Sequence, residues 1–239
     1  ALVDEAPGVS AVVVGDAFEV AATSEMGLVR IIDRSRELAI LDVSEGDAGL
    51  AADLSAIETD DSDWYGLILD AANKAAIETA AGWIETRRKM YVARTNDSDC
   101  TDPLSTTDTL ASLQASGYAR TVPCFHMEPG EFMDAGLLSG RLTAAPGSDT
   151  WVFKGIDTVR AYRLTTAEEK AILDKNGTTF TVIAGMPMPK GGKPSSGEWA
   201  DTTRGIDWLI ARIQESVIFL LRNNPKIAYT DAGVDVIRS

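Results

Sequence analysis

The sequence predicts an α/β protein: a layered sheet with helices, organised as a βαβαβ core, after a small N-terminal antiparallel β unit. Apolar runs of strand length alternate with amphipathic helical segments between residues 64 and 127, the pattern of strands joined by crossover helices. Four shorter apolar runs fill the first 45 residues, and a long apolar helical stripe lies within residues 201–223. We therefore expect an incomplete β-rich unit at 1–45 and an α/β domain, truncated at its C-terminus, at 46–239.

The N-terminal unit is predicted from apolar runs that are too short for helices. They occupy residues 9–14, 18–22, 28–32 and 38–43. In the second run, Phe18 and Val20 alternate with Ala17 and Glu19, as on a strand with one buried face. Glycine, aspartate and serine between the runs favour turns. The pattern predicts a small antiparallel sheet.

The core sheet is predicted from three longer apolar runs, at residues 64–70, 90–93 and 121–127. The first is continuously apolar up to Asp70, which is typical of a strand buried on both faces of a parallel sheet. Because helical segments separate the runs, we expect parallel neighbours with right-handed crossovers.

Helices between and after these strands are predicted from apolar spacing and capping residues. They lie near residues 50–57, 73–84, 110–117, 131–142 and 165–176. Asn73 is the expected N-cap of the second, Gly117 closes the third, and Thr165 with Glu168 forms a capping box. We also expect short strands at 150–154 and 180–184, and a hairpin tip at 190–193.

The longest helix is predicted at residues 201–223, with Asp201 as N-cap and Pro225 beyond its end. Its apolar residues recur every three or four positions: Ile206, Leu209, Ile210, Ile213, Val217, Leu220 and Leu221. Residues 217–221 are all apolar, which predicts burial on nearly every side. We therefore expect this helix to lie at the centre of the core.

Composition excludes several classes of protein. Apolar residues make up 45% of the 239, enough for a sizeable core, and the net charge is −14. Such acidity argues against a nucleic-acid partner and against an anionic membrane surface. The sequence contains no run of 18 apolar residues, the length that would predict a membrane-spanning helix. Two cysteines, Cys100 and Cys124, are too few for a disulfide framework or a four-cysteine zinc site.

No motif predicts a catalytic residue, a cofactor or a metal site. His126 is the single histidine, two residues after Cys124, and we expect it to be structural. Asp97 and Asp99 follow a predicted strand, where the active sites of open α/β sheets collect. They support the alternative hypothesis, a doubly wound α/β enzyme with acidic residues at strand C-termini.

Two further features are expected to be structural. The glycine-rich segment 185–194 resembles a phosphate-binding loop only faintly, because Pro194 stands where such a loop needs serine or threonine. Trp151, Trp199 and Trp208 fall at strand and helix positions, so we expect them in the core rather than around a ligand.

Several motifs, in this order along the chain, resemble those of contractile bacteriophage tail sheath proteins. They are DWYGLILD (63–70), KMYVARTNDSD (89–99), GYART (117–121), TAAPGSDTWVFK (143–154), LTTAEEKAILDKNGTTFTVIAG (164–185) and GEWADTTRGIDWLIARIQESVIFLLRNNPKIAYTDAG (197–233). The resemblance covers about residues 60–239, and the last motif is its sharpest part.

The resemblance implies a mechanical role in a phage or prophage tail and no enzyme activity. Sheath subunits pack in rings around a tail tube, and contraction of the rings drives the tube through the host envelope. The implied partners are other copies of the subunit, the tail tube protein and the baseplate. Terminal arms that add strands to neighbouring sheets link such subunits. The implied location is the virion tail, assembled in the bacterial host cytoplasm.

Overall fold

The computed structural model describes residues 9–14, 17–22, 28–31, 38–41, 47–70, 73–128 and 130–224, together with 226, 227, 230, 231 and 234. Side chains are described from residue 49 onward. The expected turns between the N-terminal runs, the ends of the third and fourth runs, and Pro225 lie outside the described residues.

The N-terminal segment forms two antiparallel strand pairs. Strands β1 (Val9–Val14) and β2 (Ala17–Ala22) pair with each other, as do β3 (Leu28–Ile31) and β4 (Leu38–Leu41). The predicted antiparallel strands are confirmed.

The core is a parallel sheet in the order β5 (Gly66–Leu67), β6 (Met90–Thr95), β7 (Thr121–Phe125). The parallel arrangement is therefore confirmed. The predicted length of the first strand is wrong, because only two of its residues pair with β6 and Ile68 is exposed. It is an edge strand, and its apolar side chains pack on helices rather than between two strands.

Six helices are described around this sheet: α1 (Asp47–Asp60), α2 (Lys74–Glu85), α3 (Thr109–Ser116), α4 (Met133–Leu142), α5 (Thr166–Asp174) and α6 (Ala200–Asn223). The capping predictions are confirmed: Asn73 accepts the Ala76 amide, Gly117 adopts φ 66°, and Thr165 with Glu168 completes a capping box. These caps depend on a few neighbouring residues, so sequence alone identifies them.

Strand β6 carries the two-sided core. Tyr91 and Ala93 pack with α1 and α2 on one face, whereas Met90 and Val92 pack with α4 and β7 on the other. Every residue of β6 is buried, as expected for the central strand of a layered α/β fold.

Beyond β7, Thr178 extends the sheet by exchanging 2.8 Å backbone hydrogen bonds with Pro123 and Phe125. The hairpin β8 (Thr179–Ile183) and β9 (Met186–Lys190) follows and turns at Ala184 and Gly185, both with positive φ. The predicted hairpin tip at 190–193 is therefore wrong. Gly191 instead passes so close to the Thr178 backbone that a Cβ would lie 2.8 Å from its Cα.

Two further sequence predictions are corrected by the structure. Residues 150–154 form no strand: Trp151 and Val152 are buried, but Phe153 adopts φ 59°, which turns the chain. Helix α6 begins at Ala200 after Trp199, and Asp201 is not its N-cap.

The largest correction concerns the burial of α6. Its buried residues are Ala200, Arg204 and Asp207, two of which are charged. From residue 212 to 224 every residue except Val217 and Leu220 is exposed. The helix is therefore attached mainly by polar residues in its first half, with one further hydrogen bond from Arg88 to Gln214, and it is not the centre of the described core.

Candidate functional site

The alternative hypothesis of an α/β enzyme would place catalytic residues at the carboxyl end of β6. Asp97 caps the short 3-10 turn Ser98–Thr101 and accepts the Asp99 amide at 3.1 Å with one carboxylate oxygen. The other oxygen accepts the amide and the hydroxyl of Thr109 at 2.9 and 3.0 Å. Asp97 thus ties the loop to α3 with both oxygens, while Asp99 lies exposed.

A buried ion pair supports the same loop. Lys175 Nζ lies 2.7 Å from Oδ2 of Asp108, the N-cap of α3, and also donates to the carbonyls of Cys100 and Asp102. Burial raises the pKa of the Asp108 carboxyl, but hydrogen bonds from Lys175 and the Ala111 amide outweigh burial, so the pKa lies below its usual value. This arrangement stabilises the fold and leaves the Asp108 charge satisfied.

His126 and Cys124 lie at the end of β7 without a catalytic arrangement. The imidazole Nε2 is 2.9 Å from the Arg160 carbonyl, and Nδ1 is 3.2 Å from the Glu128 carbonyl. Cys124 is fully buried, and burial raises the pKa of its thiol well above the ordinary value. A nucleophilic cysteine needs a lowered pKa, so this thiol has the opposite chemistry.

A second buried charge pair joins β6 to α4. Arg94 Nε lies 3.4 Å from Oδ1 of Asp134, and both side chains are almost inaccessible. Burial raises the pKa of Asp134, and burial also raises that of the nearby Tyr91 hydroxyl. Throughout the part of the chain that the structure describes, no group of three or more histidine, cysteine or acidic residues is arranged to hold a metal ion.

The contacts that attach α6 to the body of the domain are polar. Arg120 binds both carboxylate oxygens of Asp207 at 2.7 and 2.9 Å, and the Tyr65 hydroxyl donates to Asp207 at 2.9 Å. Arg204 donates three hydrogen bonds to the carbonyls of Arg141, Leu142 and Ala144, of 2.6, 3.0 and 2.8 Å. Arg204 and Asp207 lie one helical turn apart, yet each side chain binds a partner that is more distant in the sequence.

The apolar stripe of α6 is only partly exposed. We define the α6 seam as Ile206, Ile210, Ile213, Val217 and Leu220, which share one side of the helix. At 100° per residue, the seam is centred about 120° around the helix from the side that carries Arg204 and Asp207. Ile206 and Ile213 are each 53% exposed, whereas Ile210, Val217 and Leu220 are partly buried. Exposed apolar side chains along one helix are typical of a protein–protein contact site.

The tryptophans divide between core and surface. Trp151 is buried as predicted, but Trp199 and Trp208 are nearly half exposed, so the prediction that all three lie in the core is wrong. The Lys193 ammonium lies 5.0 Å from the Trp199 ring centroid. The exposed tryptophans add apolar surface at the N-terminal half of α6.

The outer edge of β9 is protected against strand addition. Pro189 lies opposite Phe180, and its carbonyl points away from β8 to accept the Phe153 amide at 3.1 Å. Because proline has no amide, Pro187 and Pro189 offer no donor to another strand, as is common at protected sheet edges. The exposed surface of α6 is therefore the better candidate for contact with another protein.

Comparison with known proteins adds no family to these observations. Neither protein-family models nor curated protein sequences give a match to this chain. Among the described residues, no helix combines the length and the apolar character needed to cross a membrane. The candidate site is accordingly defined by its own geometry: a helix held by its polar side, with Ile206 and Ile213 of the α6 seam exposed.

Sequence reasoning found the residues of the α6 seam but not their environment. The spacing of apolar residues shows that they share one side, and it does not show what covers that side. The anchor formed by Tyr65, Arg120 and Asp207 was missed because its members lie 87 and 142 residues apart in the chain. The one sequence signal for this anchor was the presence of two charged residues, Arg204 and Asp207, in the first half of an otherwise apolar helical stripe.

Proposed function

We propose that this chain is a structural subunit of a contractile phage or prophage tail sheath, which packs in rings around the tail tube and contracts to drive it through the host envelope. The observation that carries the proposal is the exposed apolar surface of α6, a helix that lies within the motif of sharpest resemblance to sheath proteins. A subunit that functions by packing against other proteins needs such a surface and needs no catalytic pocket.

The described loops at strand ends support the same proposal. The enzyme alternative depended on Asp97 and Asp99, and both oxygens of Asp97 are engaged in holding the loop to α3. Under this proposal the partners are other copies of the chain, the tail tube protein and the baseplate. The location is the virion tail, after assembly in the cytoplasm of the bacterial host.

Labelling of tail particles tests the proposal. Antibodies raised against this chain are applied to contractile tail particles released by the source bacterium, and gold label is located by negative-stain electron microscopy. We expect gold label at repeated positions along the outside of the tail. In contracted particles the labelled region should shorten together with the sheath. Label confined to heads or to the bare tube, or no label on intact tails, would contradict the proposal. The same antibodies pre-adsorbed with the purified chain provide the control.

A further inference from the structure

We propose that the second half of α6, residues 212–223, docks on the carboxyl end of the parallel sheet of another copy of this chain, so that copies join head to tail. The inference rests on the proposed function for the expectation that copies pack together, and it names the two surfaces that meet. Three observations lead to it: apolar side chains on several sides of α6, opposite charge on the two surfaces, and their positions at opposite ends of the sheet.

Apolar side chains lie on several sides of the second half of α6. Ile218 is 64% exposed, Phe219 66% and Leu221 51%, whereas Val217 and Leu220 are half-buried and lie outside this surface. At 100° per residue, Phe219 lies 100° to one side of Ile218 and Leu221 lies 60° to the other. A helix with apolar residues on several sides is normally enclosed by protein. This surface therefore suits contacts from more than one side and does not suit flat pairing with a second helix.

Helix α6 lies across the amino end of the parallel sheet. Its anchor Asp207 accepts hydrogen bonds from Tyr65, which directly precedes β5, and from Arg120, which directly precedes β7. Arg88, two residues before β6, donates to Gln214 at 3.2 Å. The exposed apolar residues follow these contacts along the helix, so their surface belongs to the amino end of the domain.

The carboxyl end of the same sheet also carries exposed apolar side chains. Leu104, in the loop between β6 and α3, is 86% exposed, and Phe132, just before α4, is 47% exposed over the Arg94 guanidinium. The Lys74 ammonium donates to the Thr107 carbonyl at 2.6 Å, which joins the Leu104 loop to the start of α2. Strand β6, roughly 20 Å long, separates this surface from the amino end.

The two surfaces carry opposite charge. Residues 212–226 have a net charge of +2, from three basic side chains and one acidic side chain: Arg212, Arg222, Lys226 and Glu215. Exposed acidic residues follow the three parallel strands: Asp70, Asp99, Asp102 and Glu128. Two basic residues at this end, Lys74 and Arg160, already pair with Glu78 and Glu131. At physiological salt a charge acts over about 8 Å, so the groups that meet determine the contact more than the net charge of −14 does.

Surfaces at opposite ends of one domain define a head-to-tail contact. Each copy offers α6 to one neighbour and the carboxyl end of its sheet to another, so the contact repeats along a series of copies. Such a series closes into a ring where the rotation between neighbours permits it, which is the packing that the proposed function requires. A two-fold pair would instead use the same surface on both copies and would stop at two.

Sedimentation velocity of the full chain in about 150 mM salt tests the association. Between about 1 and 100 µM the average sedimentation coefficient should rise beyond that of a dimer. Ile218→Asp places an acidic group against the acidic surface, and Leu104→Asn removes an apolar contact from it. Each should raise the concentration needed for association at least about tenfold. The control Ile206→Asp changes an isoleucine that is 53% exposed in the first half of α6, and it should change that concentration less than about twofold.

Mixing the two variants tests the head-to-tail arrangement. Ile218→Asp leaves the carboxyl end intact and Leu104→Asn leaves α6 intact, so an equimolar mixture has one working contact and should form 1:1 dimers that grow no further. Because all the changed positions are exposed, circular dichroism and melting should show that the variants fold. A wild-type chain that stays monomeric at 100 µM, a mixture that stays monomeric, or equal weakening by Ile206→Asp would overturn the proposal.

The outcomes separate from those of the tail-labelling experiment. Association that the mixture limits to dimers, without label on tails, retains this inference and removes the sheath proposal. Tail label with a chain that stays monomeric does the reverse.

Discussion

Arg120 and Asp207 lie 87 residues apart in the sequence and form a two-pronged ion pair, with distances of 2.7 and 2.9 Å between guanidinium nitrogens and carboxylate oxygens. The hydrogen bond that Arg120 donates to Asp207 raises the pKa of Arg120, so the guanidinium stays charged. This pair fixes the rotation of α6 about its own axis. It holds the polar side of the helix against the body and leaves Ile206 and Ile213 exposed.

Loss of this pair should release the first half of α6. Asp207→Asn leaves the partly buried Arg120 without its counter-charge, and we expect a loss of about 2–4 kcal/mol in the free energy of unfolding. Urea denaturation measures the loss, and amide hydrogen exchange across α6 should rise with it. As a control, Glu215→Gln breaks the exposed pair with Arg212 and should cost under about 0.5 kcal/mol. Equal effects of the two variants would show that Arg120 does not anchor the helix.

Breaking the buried ion pair of Lys175 and Asp108 should cause one of the largest losses in the free energy of unfolding. Lys175→Met leaves the inaccessible Asp108 carboxylate unpaired, for which we expect a loss of about 3–5 kcal/mol. Lys170→Met on the neighbouring turn breaks the exposed pair with Asp174 and should change stability by less than about 0.5 kcal/mol. Thermal melting of both variants measures the difference between them. A Lys175→Met variant as stable as the wild type would contradict the prediction.

The lowered pKa of Asp108 also predicts how the stability of the fold changes with acid. Its folded pKa lies below its ordinary value, so its contribution to stability is complete above the unfolded pKa of about 4 and is lost as the pH falls through the folded pKa. Asp134 has the opposite sign, because burial raises its pKa and lowering the pH relieves the cost of its charge. We expect Asp108→Asn to flatten the fall in unfolding free energy between about pH 5 and 3. An unchanged slope in urea titrations would contradict this assignment.

The parts of the fold that sequence reasoning predicted are those specified by neighbouring residues. The Asn73 and Thr165 caps each depend on an amide three positions ahead. Strand β6 was found because its residues are apolar on both faces and the sheet buries both faces. Such signals need no knowledge of the tertiary structure.

The errors arise where a distant contact determines the outcome. Residues 151–153 are apolar, and Trp151 and Val152 enter the core, yet the chain turns at Phe153, so apolar character did not indicate a strand. In α6 the apolar residues were correctly predicted to share one side of a helix. Their spacing did not specify whether that side is buried. An apolar side predicts that something covers it, and the sequence does not say whether the same chain does.

The exposure of α6 reverses the expected result of a core truncation. From the sequence, Leu209→Ala should cost about 2–5 kcal/mol, as for a buried leucine. In the structure Leu209 is 52% exposed, so we expect a loss below about 1 kcal/mol. Ile77, in α2, is fully buried against the sheet, and Ile77→Ala should cost the full ~2–5 kcal/mol.

Differential scanning calorimetry of the two variants at low concentration decides between these expectations. Ile77→Ala controls for the ability of the assay to detect a core cavity, since both changes remove aliphatic volume from a helix. If Leu209→Ala lowers the melting temperature as far as Ile77→Ala does, then Leu209 is buried in the folded chain, as expected for the central helix of a core. If Leu209→Ala is near neutral while Ile77→Ala lowers the melting temperature, then the Leu209 side chain adds little to the stability of the folded chain, as its 52% exposure requires.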